Sequence, residues 1–214
     1  MKTYIRWLSH TTARWATAAL LAVPAAGAHS APVVVDFESL ANLTSLTTQL
    51  AGFTFSNARV LQAGTTLNEL DFPPKSGVNA VLDDGGALGV RFDTPVLSVG
   101  AFLTYVTPIT LTAYDSLDNV MATATSLYGN NGALAGEPGS RPNEWLQLSL
   151  AVASIARVEF RGIATGSSFV LDDLVVDAGD PSPVPEPHSL ALVLGALWLA
   201  RAAAQPQGHT GRPR

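Results

Sequence analysis

The run Phe169-Val170-Leu171-Asp172-Asp173-Leu174-Val175-Val176 decides the fold. It is apolar on both faces except at its two acids, which predicts a central strand covered on each side. Working outward from it, the same period of two recurs along the chain. Val158 and Phe160 separate Arg157, Glu159 and Arg161; Leu146, Leu148, Leu150 and Val152 alternate with Trp145, Gln147, Ser149 and Ala151. Val120 to Leu127 follows a turn at Ser116-Leu117-Asp118-Asn119. Further apolar faces come from Ile109, Leu111 and Ala113, from Leu97, Val99, Ala101 and Leu103, and from Leu88, Val90 and Phe92, a strand expected to end at Pro95. Phe53 and Phe55 bracket Thr54, and Val33, Val35 and Phe37 open the series. Gly, Pro, Asn and Asp punctuate these runs and no helical period intervenes, so the expectation is all-β: an antiparallel sandwich of eight to ten strands over residues 33–180. Two long loops interrupt it, Gly64 to Asn79 and Tyr128 to Asn143. Loops of that length in a compact domain are functional or mobile. Asp83-Asp84-Gly85-Gly86 reads as a turn.

Charge and residue usage narrow the function. Between Val33 and Asp180 six basic residues face sixteen acidic ones, a net of −10. Nucleic acid is excluded as a partner, because no basic surface exists to displace counterions from phosphates. Cysteine is absent, and the four histidines, His10, His29, His188 and His209, all lie outside this body. Ser-His-Asp and Cys-His catalysis and nearly every zinc site are thereby removed. Paired carboxylates remain for glycoside hydrolysis, but Asp83-Asp84, Asp172-Asp173 and Glu137 show no spacing that singles out a pair, and the reading is non-enzymatic.

The two ends read as addresses. Lys2, Arg6 and Arg14 precede an apolar run from Trp15 to Val23, Pro24 breaks it and Ala26-Gly27-Ala28 supplies small residues. Residues 1–28 are therefore expected to be a signal peptide read by the general secretion machinery, with cleavage after Ala28. At the other end stand Val184-Pro185-Glu186-Pro187, an apolar run Leu190 to Ala200, and the basic residues Arg201, Arg212 and Arg214. Proline fixes the motif as extended backbone and lets a helix begin only afterwards. Eleven apolar residues at 1.5 Å each give roughly 16 Å against a bilayer core of about 30 Å, so the expected helix, 189–204, is a marginal span suited to a temporary anchor. The arginines favour a cytoplasmic tail. Residues 183–214 closely resemble the PEP-CTERM sorting domain. That resemblance implies a substrate of an exosortase-like membrane enzyme in a Gram-negative bacterium, held briefly in the inner membrane, cut near Pro185-Glu186-Pro187, and released to the cell surface or an exopolysaccharide matrix.

The body in turn resembles galactose-binding-like jelly rolls and carbohydrate-binding modules. Asp36-Phe37-Glu38, Phe72-Pro73-Pro74, Ala113-Tyr114-Asp115 and Leu171-Asp172-Asp173-Leu174 carry this likeness in their order along the chain. A jelly roll brings its first and last strands together, and similar modules hold a structural Ca2+ between a Glu on the first and an Asp on the last. The resemblance so implies Glu38 and Asp172 as calcium ligands. The alternative is that these acids accept backbone N–H bonds. By alternation Trp145 and Tyr114 point away from the core, beside amides and hydroxyls, and are the candidate glycan-binding aromatics. The expected role is a structural or glycan-associating surface protein, with exopolysaccharide as a partner; the alternative is a calcium-stabilised carbohydrate-binding module with a defined glycan ligand.

Overall fold

A computed structural model describes residues 31–179 together with Ala196 and Leu197, which are helical. The signal peptide, the sorting motif Val184 to Pro187, the anchor helix apart from those two residues, and Arg201, Arg212 and Arg214 lie outside the described residues. Among the described residues no helix is long and apolar enough to cross a membrane.

Eleven strands form two antiparallel sheets: β1 Val33–Val35, β2 Phe53–Ser56, β3 Ala58–Gln62, β4 Asn79–Asp84, β5 Leu88–Val96, β6 Ser98–Tyr105, β7 Thr110–Tyr114, β8 Val120–Thr125, β9 Glu144–Ser149, β10 Ile155–Arg161 and β11 Gly166–Asp177. One sheet has the order β3-β4-β11-β6-β9, with β1 also on β11; the other runs β2-β5-β10-β7-β8. Their facing sides share one core, including Phe55, Val90, Leu111, Val158 and Phe160 from one sheet and Val60, Leu103, Leu146, Phe169 and Leu171 from the other. The alternation places these residues inside because successive strand side chains point to opposite faces.

The expected central strand is β11. It pairs with β6 along one edge, while the other edge takes β4 near Val170 and Leu171 and β1 from Leu174 onward. The change of partner falls at Asp172-Asp173, where the register with β6 shifts and Asp173 adopts φ 45°. At this bulge the Asp173 N–H is taken by the Asp172 carboxylate, at 2.7 Å.

Three expectations need correction. The β3–β4 hairpin was not legible as strands, because Asp83-Asp84 reads as a turn. Asp83 instead lies within β4, next to its last residue and fully buried, accepting bonds from the N–H groups of Ser168 and Phe169 (2.8 and 3.0 Å) and from the Ser168 hydroxyl (2.7 Å). Burial pushes its carboxyl up, and those three bonds pull the other way. Pro95 does not end its strand: β5 continues to Val96, whose partner is Ile155, and the proline sits where the β5–β10 register shifts. Of the two readings of the long loops, functional or mobile, the second falls, since both loops are tied down. Asp71 accepts bonds from Ala133 and Leu134 N–H, Asn143 donates to the Pro73 carbonyl, and buried Asn131 joins its loop to Leu103, Tyr105 and Arg141.

Candidate functional site

Glu38 and Asp172 come to the same loop, but Glu38 does so from a turn beyond β1 and not from the first strand as expected. Glu38 Oε1 accepts the N–H groups of Val78 and Asn79 at 3.0 and 2.7 Å. Asp172, 1% exposed, accepts from Lys75 and Ser76 N–H through Oδ2 (2.7 and 2.9 Å) and from Asp173 N–H through Oδ1 (2.7 Å). Desolvation raises its pKa to about 6 against the opposing pull of these N–H groups. The set does not fit a calcium shell, which wants six to eight converging oxygens. Both oxygens of Asp172 and Oε1 of Glu38 are instead engaged by N–H groups. Among the described residues no group of three or more His, Cys, Asp or Glu is gathered for a metal. The geometry gives the two carboxylates another task, fastening the loop between β3 and β4 across half of the sheet. Under it lies a small second cluster of Leu67, Ala80 and Val170, with Leu61, Phe72 and Leu82 against it.

The other half of that outer face stays open, and Trp145 lies on it. In register across the sheet come Trp145 on β9, Phe102 on β6 and Asp172 on β11; the next row is Gln147, Gly100 and Val175. A Cβ at Gly100 would stand 2.4 Å from Trp145 Cζ2 and 2.5 Å from Cη2. The indole therefore occupies the space that a side chain at position 100 would take, settling against the strand rather than standing on it. Its ring centre is 4.9 Å from that of Phe102, within the range of attractive aromatic pairs. The indole N–H donates to Gln147 Oε1 at 3.2 Å, and Lys75 Nζ lies 4.3 Å from the Phe102 ring centre. The anchored loop thus places a lysine at the border of an aromatic surface. Trp145 keeps 39% exposure. Phe102, Lys75 and Gly100 were not singled out from the sequence, although Phe102 and Gly100 occupy the outward positions between Ala101, Leu103 and Val99.

Tyr114 belongs to the opposite face, so the two aromatics expected to serve one sugar surface do not meet. It ends β7 in the five-stranded sheet, opposite Arg157. The Arg157 guanidinium lies 3.5 Å from its ring centre, and the phenol donates to Glu159 Oε2 at 3.1 Å. Arg157 also donates from Nε to Asp118 (2.6 Å) and from Nη1 to Glu159 (2.9 Å). The bond from Arg157 holds the Asp118 carboxyl below the usual range. It stays ionised at neutral pH, an acceptor and not a proton donor.

No family model matches the chain and no curated protein matches it. Among solved structures it is similar to the K2 cleaved adhesin domain of Lys-gingipain (16% identity, 68% of this chain and 99% of that one, TM-score 0.44). It is also similar to a DUF4465 family protein from Bacteroides caccae (15%, 69% and 100%, TM-score 0.46). A third is TmCBM61, solved in complex with β-1,4-galactotriose (14%, 67% and 94%, TM-score 0.38). Likeness at this distance carries no ligand or role to this chain.

Proposed function

We propose that this is an exported, non-catalytic surface or matrix protein whose jelly-roll-type sandwich associates with glycan through Trp145. The observation that carries the reading is the indole resting over Gly100 beside Phe102, partly exposed, with Gln147 and Lys75 at its border. A pyranose presents an apolar face of C–H groups and a rim of hydroxyls. A ring platform with an amide and an ammonium beside it is complementary to both. The absence of histidine and cysteine from the body argues for binding over chemistry. Electrophoresis through gels containing neutral polysaccharides (β-glucan, xylan, galactan, dextran) tests this. One of them should retard the protein, and Trp145→Ala should remove the retardation, a loss of at least about tenfold in affinity. Equal mobility in every gel would remove the glycan reading.

The route to the surface rests on sequence. Residues 1–28 act as the export signal, and residues 183–214 hand the body to an exosortase-like enzyme that cuts near Pro185-Glu186-Pro187 in the inner membrane. Mass spectrometry of protein recovered outside the cell would read both trimmed ends; recovery with Arg214 attached contradicts this route. Calcium titration separates the fastening role of Glu38 and Asp172 from a metal site.

A further inference from the structure

The outer face of the five-stranded sheet holds a groove of about 400 Å3, centred on β2, β5 and β10. Its origin is one missing side chain. Gly89 lies in register between Ser56 on β2 and Glu159 on β10, while the neighbouring row runs Thr54, Arg91, Arg157 and Tyr114. A Cβ at position 89 would stand 2.5 Å from Ser56 Oγ. The Ser56 hydroxyl lies over the glycine, and the longer side chains around it form walls above that shallow floor.

Six of the ten lining residues carry hydrogen-bonding side chains, and their charges cancel. Arg91 and Arg157 face Asp118 and Glu159, with the hydroxyls of Thr54 and Ser56 between. Part of the array is fixed in advance. Arg157 is stacked on Tyr114 and bonded to both carboxylates, so its geometry costs nothing to organise when a ligand arrives. Arg91 differs. Its side chain is 53% exposed, and its approach to Asp118 is a long 3.8 Å, to an oxygen that Arg157 already holds at 2.6 Å. A guanidinium fork with spare donors thus stands beside ionised acceptors. A vicinal diol suits that pairing, since its hydroxyls donate to the carboxylate while their oxygens accept from the fork. The volume admits one or two sugar rings. A polyanion finds no excess positive charge here, and the body around the groove carries −10.

We infer that this groove binds a neutral sugar unit through vicinal hydroxyls, with Arg91 and Asp118 as the discriminating pair. It opens on the face opposite Trp145. Taken with the glycan reading of Trp145, on which this last step rests, the domain becomes bivalent and bridges two polysaccharide chains rather than gripping one.

Backbone and indole N–H resonances of the 15N-labelled full-length chain test the groove separately from the platform. The probes are cellobiose, galactobiose, the permethylated form of each and digalacturonate at about 20 mM, above the millimolar dissociation constants of weak single sites. One neutral disaccharide should move the Gly89 and Ser56 amides, and its permethylated form should not. Arg91→Ala should weaken the Gly89 response at least tenfold while leaving the Trp145 indole response unchanged. Movement at Gly89 with a silent Trp145 indole supports the groove and removes the platform. A Gly89 amide unmoved by both neutral disaccharides, moved equally in Arg91→Ala, or moved more by digalacturonate than by galactobiose overturns the inference.

Discussion

Gly100→Ala changes one methyl group and should disable the aromatic surface without touching an aromatic. The new Cβ would lie 2.4 and 2.5 Å from the indole carbons Cζ2 and Cη2 and 3.1 Å from Gln147 Cβ. Carbon atoms rest at about 3.5–4.0 Å, so the ring has to lift by at least about 1 Å. At 39% exposure, roughly 150 Å2 of the tryptophan is covered, and complete ejection would forfeit about 4 kcal/mol at about 25 cal/mol per Å2. A partial lift loses about 1–2 kcal/mol. Replacing glycine at ordinary strand dihedrals returns about 0.4–1 kcal/mol through the unfolded chain. The net expectation is about 1 kcal/mol of destabilisation together with a more hydrated indole. Urea unfolding and tryptophan emission of a chain spanning residues 31–179, which contains both sheets and both apolar clusters, would read the two effects. Trp145 is the one tryptophan in that span, since Trp7, Trp15 and Trp198 lie outside it, so the emission has a single source. A variant more stable than the parent with unshifted emission would refute the placement of the ring on the strand.

Other perturbations probe what holds the surface in position. Asp172→Ala leaves the N–H groups of Lys75, Ser76 and Asp173 without their acceptor. It should cost about 3 kcal/mol and expose the β3–β4 loop to amide exchange, whereas protection equal to the parent's would contradict the fastening role. Because burial raises Asp172 from 3.8 to about 6, the folded state binds its proton more readily than the unfolded chain. The contribution of this group therefore falls as pH rises from about 4 to about 6, and is regained on acidification. The stability gap between parent and Asp172→Ala should widen by about 2 kcal/mol between pH 7 and pH 4.5, and a gap independent of pH would exclude the shift. Asp83→Ala strands the Ser168 and Phe169 N–H groups and the Ser168 hydroxyl in the interior. A loss of 3 kcal/mol or more is expected, roughly 1 per unmet donor, and a loss under about 1 in chemical denaturation would show that water replaces the carboxylate. Millimolar calcium should leave the melting temperature unchanged; a rise abolished by chelator would restore the metal site.

The sandwich was legible because its core obeys a strict alternation. Leu146 and Leu148, Leu111 and Ala113, and Leu88, Val90 and Phe92 all point where a period of two sends them. The central position of β11 followed from an apolar run with no solvent face. What escaped was anything set by polar side chains inside. Asp83 is buried near a strand end and mimics a turn, and only the donors on β11, eighty-five and eighty-six residues away, reveal its place. The outward direction of Trp145 and Tyr114 was readable one strand at a time. Their separation onto opposite faces was not, because sheet membership depends on pairings distant in sequence: β9 joins β6, while β7 joins β10. Likewise Glu38 and Asp172 do meet the same loop, although Glu38 lies in a turn beyond the end of β1 and not on the first strand. Their oxygens are answered by N–H donors that no spacing along the chain announces.

A fluorescence titration of Trp145 in the 31–179 chain, using fragments of whichever polysaccharide retards the protein, tests the account most directly. Stacking of a sugar ring on the indole predicts a saturable blue shift of the emission, absent when Gly100→Ala has lifted the ring. Emission unchanged at saturating fragment, with retardation persisting, would place the glycan elsewhere and contradict the aromatic platform.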